Sequence, residues 1–355
     1  MKNAIIYPYN ATLLPMIRHM GELQNEYQIS QVVSFPGGGL TRKDVGYVCN
    51  QPHVGVEVKD SVDMQTSWST LLLDGTYLNR EGVGSELIED AVYNQKEILC
   101  FESDELNITS WRKELYQRFS LSVIKEEIGE DEIEEVGVVH ENPIPVILVG
   151  GLVEQADSLE LVCLLTTIFR QKGLKVEVIT DKPMYRLLGF HDISALFGGR
   201  YPSLEIIERI NKYMYVLQQR SAPDVILLHA FDGMLRYSNI IPNGYGIKTY
   251  MACQAIPTDY CFCCVPLDMS SPEMIKTLSD DFAYRYGTQI TGVHVSNMII
   301  DSMRAMQDRK LSVSYVDMKF MYDYMMKHVE EGDIPVFNAI IQEEKLRKTV
   351  DDMFG

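Results

Sequence analysis

PVILVGGLVEQADSLELVCLLTTIFRQKGLKVEVIT, from Pro145 to Thr180, is the stretch that decides the fold. Val146 to Val149 is an apolar run that reads as a strand, and Gly150-Gly151 reads as its end. Leu159, Val162, Cys163, Thr166, Ile168 and Phe169 then give a helix that is apolar on nearly every side, as a buried crossover helix should be. Gly173 stops that helix, and Lys175 to Thr180 is a second strand. Together these pieces make one βαβ unit of a parallel sheet.

The turn at the head of this helix stands where a nucleotide-binding fold carries its phosphate loop. Such a loop needs glycines for the anion nest, a lysine for the β and γ phosphates and a hydroxyl for magnesium, in the order G-x-x-x-x-G-K-[ST]. Counted from Gly151, Ala156 takes the place of the second glycine, Asp157 that of the lysine and Ser158 that of the hydroxyl. Two unit charges about 4 Å apart at an effective dielectric of about 20 interact by about 4 kcal/mol, so aspartate for lysine turns attraction into repulsion. Nucleotide is therefore not expected here, and no other cofactor is. Asp157-Ser158-Leu159-Glu160 also has the D-x-x-E form of a capping box, which sets a helix cap beside a functional carboxylate as the two readings of Asp157.

At 355 residues with 46% apolar content, the chain is long enough for two ordinary domains. Fifty acidic against 32 basic residues give a net charge of −18, which repels phosphate backbones and anionic lipid and argues against nucleic-acid or membrane-surface partners. No run approaches the ~18 apolar residues of a membrane span, and Met1-Lys2-Asn3 leads straight into a strand, so a cytoplasmic protein is expected. Seven cysteines scattered through apolar segments read as reduced, buried thiols. Cys261-Phe262-Cys263-Cys264 lies in a strand that sends its cysteines to opposite faces, and it lacks a CxxC or HxxxH partner, so no metal site is expected.

Residues 1–119 read as a first, Rossmann-like α/β domain, with strands at Ala4 to Tyr7, Gln28 to Phe35, Gly55 to Val58, Thr70 to Leu73 and Glu97 to Phe101. Its helices are placed at Ala11 to Met20, Gly84 to Asn94 and Glu105 to Phe119, and the alternation implies a doubly wound parallel sheet. Pro36-Gly37-Gly38-Gly39, followed by Thr41, Arg42 and Lys43, is either an anion cradle or a surface loop. Leu73-Asp74-Gly75, with Gly82 and Gly84, marks a second glycine-rich edge at strand ends, where open sheets bind ligands.

Residues 120–143 carry seven acids within positions 126–135 and end in Asn142-Pro143, which reads as an acidic linker or as a docking segment for a basic partner. Protease is expected to enter between Lys125 and Glu141. Residues 144–300 form the second α/β domain, degenerate and P-loop-like. Its strand ending at His229-Ala230-Phe231-Asp232-Gly233 lies where a metal-associated acid would stand, so Asp232 or His229 could share a cleft with Asp157 and Ser158. Ser296-Asn297 ends another strand. Residues 301–355 read as a helical extension that includes the alternating Leu311 to Val316, and its Tyr315, Met318, Phe320, Met321, Tyr324, Met325 and Met326 serve as core or as a dimer or partner surface.

Leu148-Val149-Gly150-Gly151 with Glu154, the acid-then-glutamate helix start, His229 to Gly233 and Val293-His294-Val295-Ser296-Asn297 together resemble clostridial peptide maturation system proteins. That family is similar to degenerate nucleotide-binding proteins encoded beside radical-SAM enzymes that modify short ribosomal peptides. The resemblance implies an accessory role, with a precursor peptide or the maturase as partner, and leans away from an enzyme. An atypical nucleotide-dependent transferase or ligase using Asp157, Ser158, His229 and Asp232 is one alternative. A sensor for a small anionic metabolite, held at Gly37, Gly38 and Gly39, is another. Ligand contacts are otherwise expected from Gly150, Gly151, Glu154, Ser158 and Asn297.

Overall fold

The computed structural model describes the chain except residues 36, 63–66, 79–83, 104–107, 122, 125, 235, 242, 330–331 and 355, and the side chains of 84, 85 and 354. Pro36, Gly82, Glu105 and Lys125, singled out above, lie outside the described residues. The chain is α/β throughout and divides into two compact units, Met1–Glu127 with Asp181–Gly198, and Ile128–Thr180 with Gly199–Gly355. Among the described residues no helix is long and apolar enough to cross a membrane.

In the first unit, β1 (Lys2–Tyr7), α1 (Leu14–Leu23), β2 (Tyr27–Val33), β3 (Val58–Lys59), β4 (Thr70–Asp74), α2 (Gly84–Tyr93), β5 (Glu97–Phe101) and α3 (Ser110–Phe119) follow in order. The strands lie as β3-β2-β1-β4-β5, all parallel, so the winding reverses between β1 and β4. A core of Ile5, Tyr7, Val33, Trp68, Leu71, Leu73, Ile88 and Cys100 packs one face of this sheet. Period-two burial is missing along β4, where every residue is buried, because helices cover both faces of a doubly wound sheet.

The second unit opens with α4 (Glu130–Glu135), inside the stretch expected to be a solvated linker. The correction has a simple cause. Ile133 is buried, the Gly129 N–H donates to Glu132 Oε1 at 3.1 Å, and Glu130, Glu132 and Glu134 pair with Arg200, Arg220 and Arg209. Acid density read as self-repulsion is thus neutralised by arginines far along the chain. Next come β6 (Val146–Gly151), α5 (Ser158–Gln171) and β7 (Val176–Thr180). Gly173 takes φ 81° just past the helix end, as a left-handed terminator does.

Residues 181–198, expected within the second domain, belong to the first unit and contain the two-residue strand β8 (His191–Asp192). The Tyr185 hydroxyl donates to Thr12 O at 2.7 Å, Arg186 reaches Ile124 O and Asp192, His191 meets Glu126 at 2.9 Å, and Ser194 donates to Ser103 O at 2.7 Å. Burial pushes Asp192 up to about 6, although the adjacent Arg186 opposes it.

The chain then builds α6 (Ser203–Ser221), β9 (Val225–His229), α7 (Ile247–Ala255), β10 (Tyr260–Val265), α8 (Pro272–Tyr286) and β11 (Ile290–Val295). After these, β12 (Met298–Ile300), α9 (Ser302–Asp308), β13 (Val313–Tyr315), α10 (Met318–His328), β14 (Val336–Phe337) and α11 (Glu343–Phe354) complete the unit. Its strands run β14-β11-β10-β6-β9-β7, all parallel, with β6 central. The extension after residue 300 is not helical alone: β13, within the alternating Leu311 to Val316, pairs antiparallel with β12, and β14, which the helical reading left out, joins the main sheet beside β11. A two-residue strand between Pro335 and Asn338 is too short to carry a periodic signal. Of the Met/aromatic group, Met321 and Met325 are buried, while Phe320 and Met326 are exposed.

Removing the apolar anchor of α4 should free the segment. Ile133→Asp is expected to make residues 128–140 cleavable by a glutamate-specific protease under conditions where the wild-type chain resists, as read by mass spectrometry of the fragments. Equal cleavage of both would show that the helix is not docked.

Candidate functional site

The site grows from the C-terminal end of β6. Gly150 and Gly151 do not break the strand; they are paired with Cys263 and Cys264 of β10. Their lack of side chains serves close approach instead. A Cβ on Gly150 would come within 2.3 Å of Met234 Sδ and 2.6 Å of Ala230 Cβ, and one on Gly151 within 2.4 Å of Val153 O. Beyond the strand, Leu152, Val153 and Ala156 are all 0% exposed, so the turn that would wrap a phosphate is filled by its own side chains. Its backbone is bonded too. Leu152 N–H donates to Cys264 O, Ala156 N–H to Val153 O, Met234 N–H to Gly151 O, and the Asn243 amide to Leu152 O at 3.1 Å. Glu154, expected to touch ligand, is exposed on the outside of this turn.

Asp157 does not cap α5. It sits at φ 61°, and its side chain makes no capping hydrogen bond, whereas a capping side chain reaches the N2 or N3 amide from extended backbone. Its Oδ2 lies 3.5 Å from Nε2 of the fully buried His294. The Ala339 N–H donates to His294 Nδ1 at 3.1 Å, which leaves the ring proton on Nε2, facing the carboxylate. On the other side of the helix start, Ser158 Oγ is 3.0 Å from His229 Nε2, and His229 Nδ1 is 3.2 Å from Thr180 Oγ1. All three residues are buried. A serine beside an imidazole is the start of a nucleophile, yet the third group here is a hydroxyl without the charge that would steady an imidazolium, and the packed turn covers the serine.

Asp232 is not brought to this group. Its carboxylate accepts from the Lys248 and Thr249 amides at 3.2 Å and from Thr249 Oγ1 at 2.9 Å, at the head of α7. Burial raises it above the usual carboxylate range, and those hydrogen bonds oppose the shift. Asn297 is buried and donates from Nδ2 to Val316 O at 2.7 Å, holding the β12–β13 hairpin. In the first unit, Gly37 and Gly39 take φ 81° and 72° in an exposed loop, while the amides of Gly38, Arg42 and Lys43 are bonded to Phe35 O, Val58 O and Leu40 O. The seven cysteines are free and buried, with Cys261, Cys263 and Cys264 raised by burial, and no group of three or more potential metal ligands occurs among the described residues.

A second polar cluster, of which only the Leu73-Asp74-Gly75 edge is marked in the sequence, stands at the point where the first sheet reverses. Asn10 follows β1, Asp74 ends β4 and Glu102 follows β5. Asn10 Nδ2 donates to Asp74 Oδ2 at 3.1 Å; Tyr116 OH donates to Glu102 Oε1 at 2.6 Å, and Arg112 pairs with Glu102 at 3.1 Å. Asp74 is 3% exposed, and burial pushes it up to about 7, with nearby Glu102 adding to the rise and the Asn10 bond opposing it.

No protein-family model matches the chain, and no curated protein matches it in sequence. A solved structure, that of a DUF1611 family protein from Anabaena variabilis ATCC 29413, is similar with a TM-score of 0.60 at 10% identity, covering 99% of this chain and 100% of the other. At that identity the likeness is one of fold.

Two outcomes follow from this geometry. Gly150→Ala should lower stability by about 1–3 kcal/mol through overpacking, and Met234→Ala in the same chain should recover part of that loss, as a chemical-denaturation double-mutant cycle would show. For Asp74, the folded carboxyl keeps its proton to higher pH than the unfolded one. Stability from this group is therefore complete below about pH 4 and falls as pH rises to about 7, by roughly 4 kcal/mol in all. Melting curves of Asp74→Asn should show a gain over wild type that grows between pH 4 and 8; a constant difference would contradict the assignment.

Proposed function

We propose that this protein is a cytoplasmic accessory factor in the maturation of a ribosomally synthesised peptide, holding or presenting the precursor or supporting its radical-SAM maturase. The observation that carries this reading is the self-filled turn at Leu152 to Ser158, together with the resemblance stated for Leu148 to Gly151, His229 to Gly233 and Val293 to Asn297. A chain descended from a nucleotide-binding design, in which aspartate replaces the lysine and side chains replace the phosphate, keeps the scaffold and serves as a binding protein. Its charge of −18 argues against nucleic acid and anionic membranes as partners.

The second reading, a nucleotide-dependent transferase or ligase, draws on the Ser158–His229–Thr180 relay. Calorimetry with ATP or GTP and magnesium separates the two. The accessory reading expects no binding tighter than millimolar; micromolar binding lost in Ser158→Ala favours the transferase. Mixed with a precursor peptide and a radical-SAM maturase of the kind the resemblance implies, the protein is expected to bind one or the other saturably. Binding to neither would defeat the proposal.

A further inference from the structure

The second sheet ends at β14, which pairs with a strand on one side only among the described residues. Val293 is the register partner of Val336, and its N–H donates to Pro335 O at 2.9 Å. In a parallel ladder, a residue bonded this way uses the positions on either side of its partner, so the N–H and C=O of Val336 itself point away from β11. Beyond β14 the sheet has no further strand among the described residues. An edge of this kind is a template for an extended segment.

A cleft of about 280 Å³ lies along this edge, lined among others by Ile334, Val336, Lys345, Lys348, Thr349 and Asp352. Lys345 and Lys348 are three positions apart on α11 and share a face. Neither forms an ion pair among the described residues, and Asp352 is the one carboxylate among the described residues that line the cleft. Two lysines on one face of a cleft are a local excess of positive charge among the described lining residues of a chain whose net charge is −18. Apolar wall, outward backbone pair and cations therefore occur together, and the size is at the low end for ligand pockets, which suits the tip of a chain.

We infer that this cleft captures the free C-terminus of an extended peptide. The peptide backbone adds beside β14, accepting from Val336 N–H and donating to Val336 C=O. Its last apolar side chains lie on Ile334 and Val336, and its terminal carboxylate sits between Lys345 and Lys348. That the natural occupant belongs to a maturing peptide rests on the function proposed above; the geometry does not.

The test uses the full chain and two pools of fluorescein-labelled pentapeptides with random apolar residues at the last two positions, one with a free C-terminus and one amidated. Fluorescence anisotropy should show saturable binding of the free-carboxylate pool. Amidation, Lys345→Glu with Lys348→Glu, and Val336→Pro should each weaken it by about tenfold or more, the scale of one charge-assisted hydrogen bond. Val336→Pro deletes an amide that the β11 ladder does not use, and circular dichroism checks its fold; should it fail to fold, the lysine pair and the amidated pool decide. Absence of saturable binding, or equal binding of acid and amide pools, overturns the inference, and so does binding that depends on internal glutamates alone. A chain that binds the pool but no precursor peptide keeps this site and loses the accessory role. One that binds the precursor and ignores the pool does the reverse.

Discussion

The close approach of Met234 to Gly150 is the contact on which the second unit depends. Only a residue without a side chain lets the loop after β9 lie this near to the central strand, and the Met234 N–H to Gly151 O bond holds it there. Leu152, Val153 and Ala156 then fold inward, and α5 starts from a left-handed Asp157 with Ser158 buried behind it. Glycines kept in phosphate loops to admit an anion are here occupied by a methionine sulfur and a carbonyl oxygen. The same residues thus support the opposite use, a rigid turn in place of a cradle.

Polar groups nevertheless gather where open parallel sheets put them. Asp157 with His294 and Ser158 with His229 flank the head of α5, and Asn10, Asp74 and Glu102 stand at the reversal of the first sheet. In each case burial decides the chemistry more than identity does. His294 lies between the Ala339 amide at Nδ1 and the Asp157 carboxylate at Nε2. Burial keeps the proton on Asp74 toward neutrality, and nearby Glu102 adds to the effect.

The βαβ centre was legible because Val146 to Val149 and the helix from Leu159 to Phe169 are long, strongly apolar runs that local periodicity describes. Gly150 and Gly151 misled as strand breakers, since the sequence shows a missing Cβ but not the Met234 side chain eighty-odd positions away that requires it. Asp157 fitted a capping box by spacing, yet its backbone lies in the left-handed region, where the side chain cannot reach the amides. The acids around Ile133 were read as solvated because their arginine partners, Arg200, Arg209 and Arg220, are distant in sequence. Likewise Asp232 stands at the strand end where a metal-associated acid was expected, but the bonds that turn it onto Thr249 are invisible until α7 is placed. Short pieces such as β14 and the segment 181–198 are defined wholly by such nonlocal bonds.

Hydrogen exchange of the segment from Gly150 to Leu161 tests the central claim most directly, with and without magnesium ATP. The self-filled turn predicts slow exchange at the Leu152 and Ala156 amides, which donate to Cys264 O and Val153 O, and no change when nucleotide is added. Rapid exchange of those amides in the free protein, or protection that appears only with nucleotide, would show an open loop awaiting its phosphate and would contradict the account.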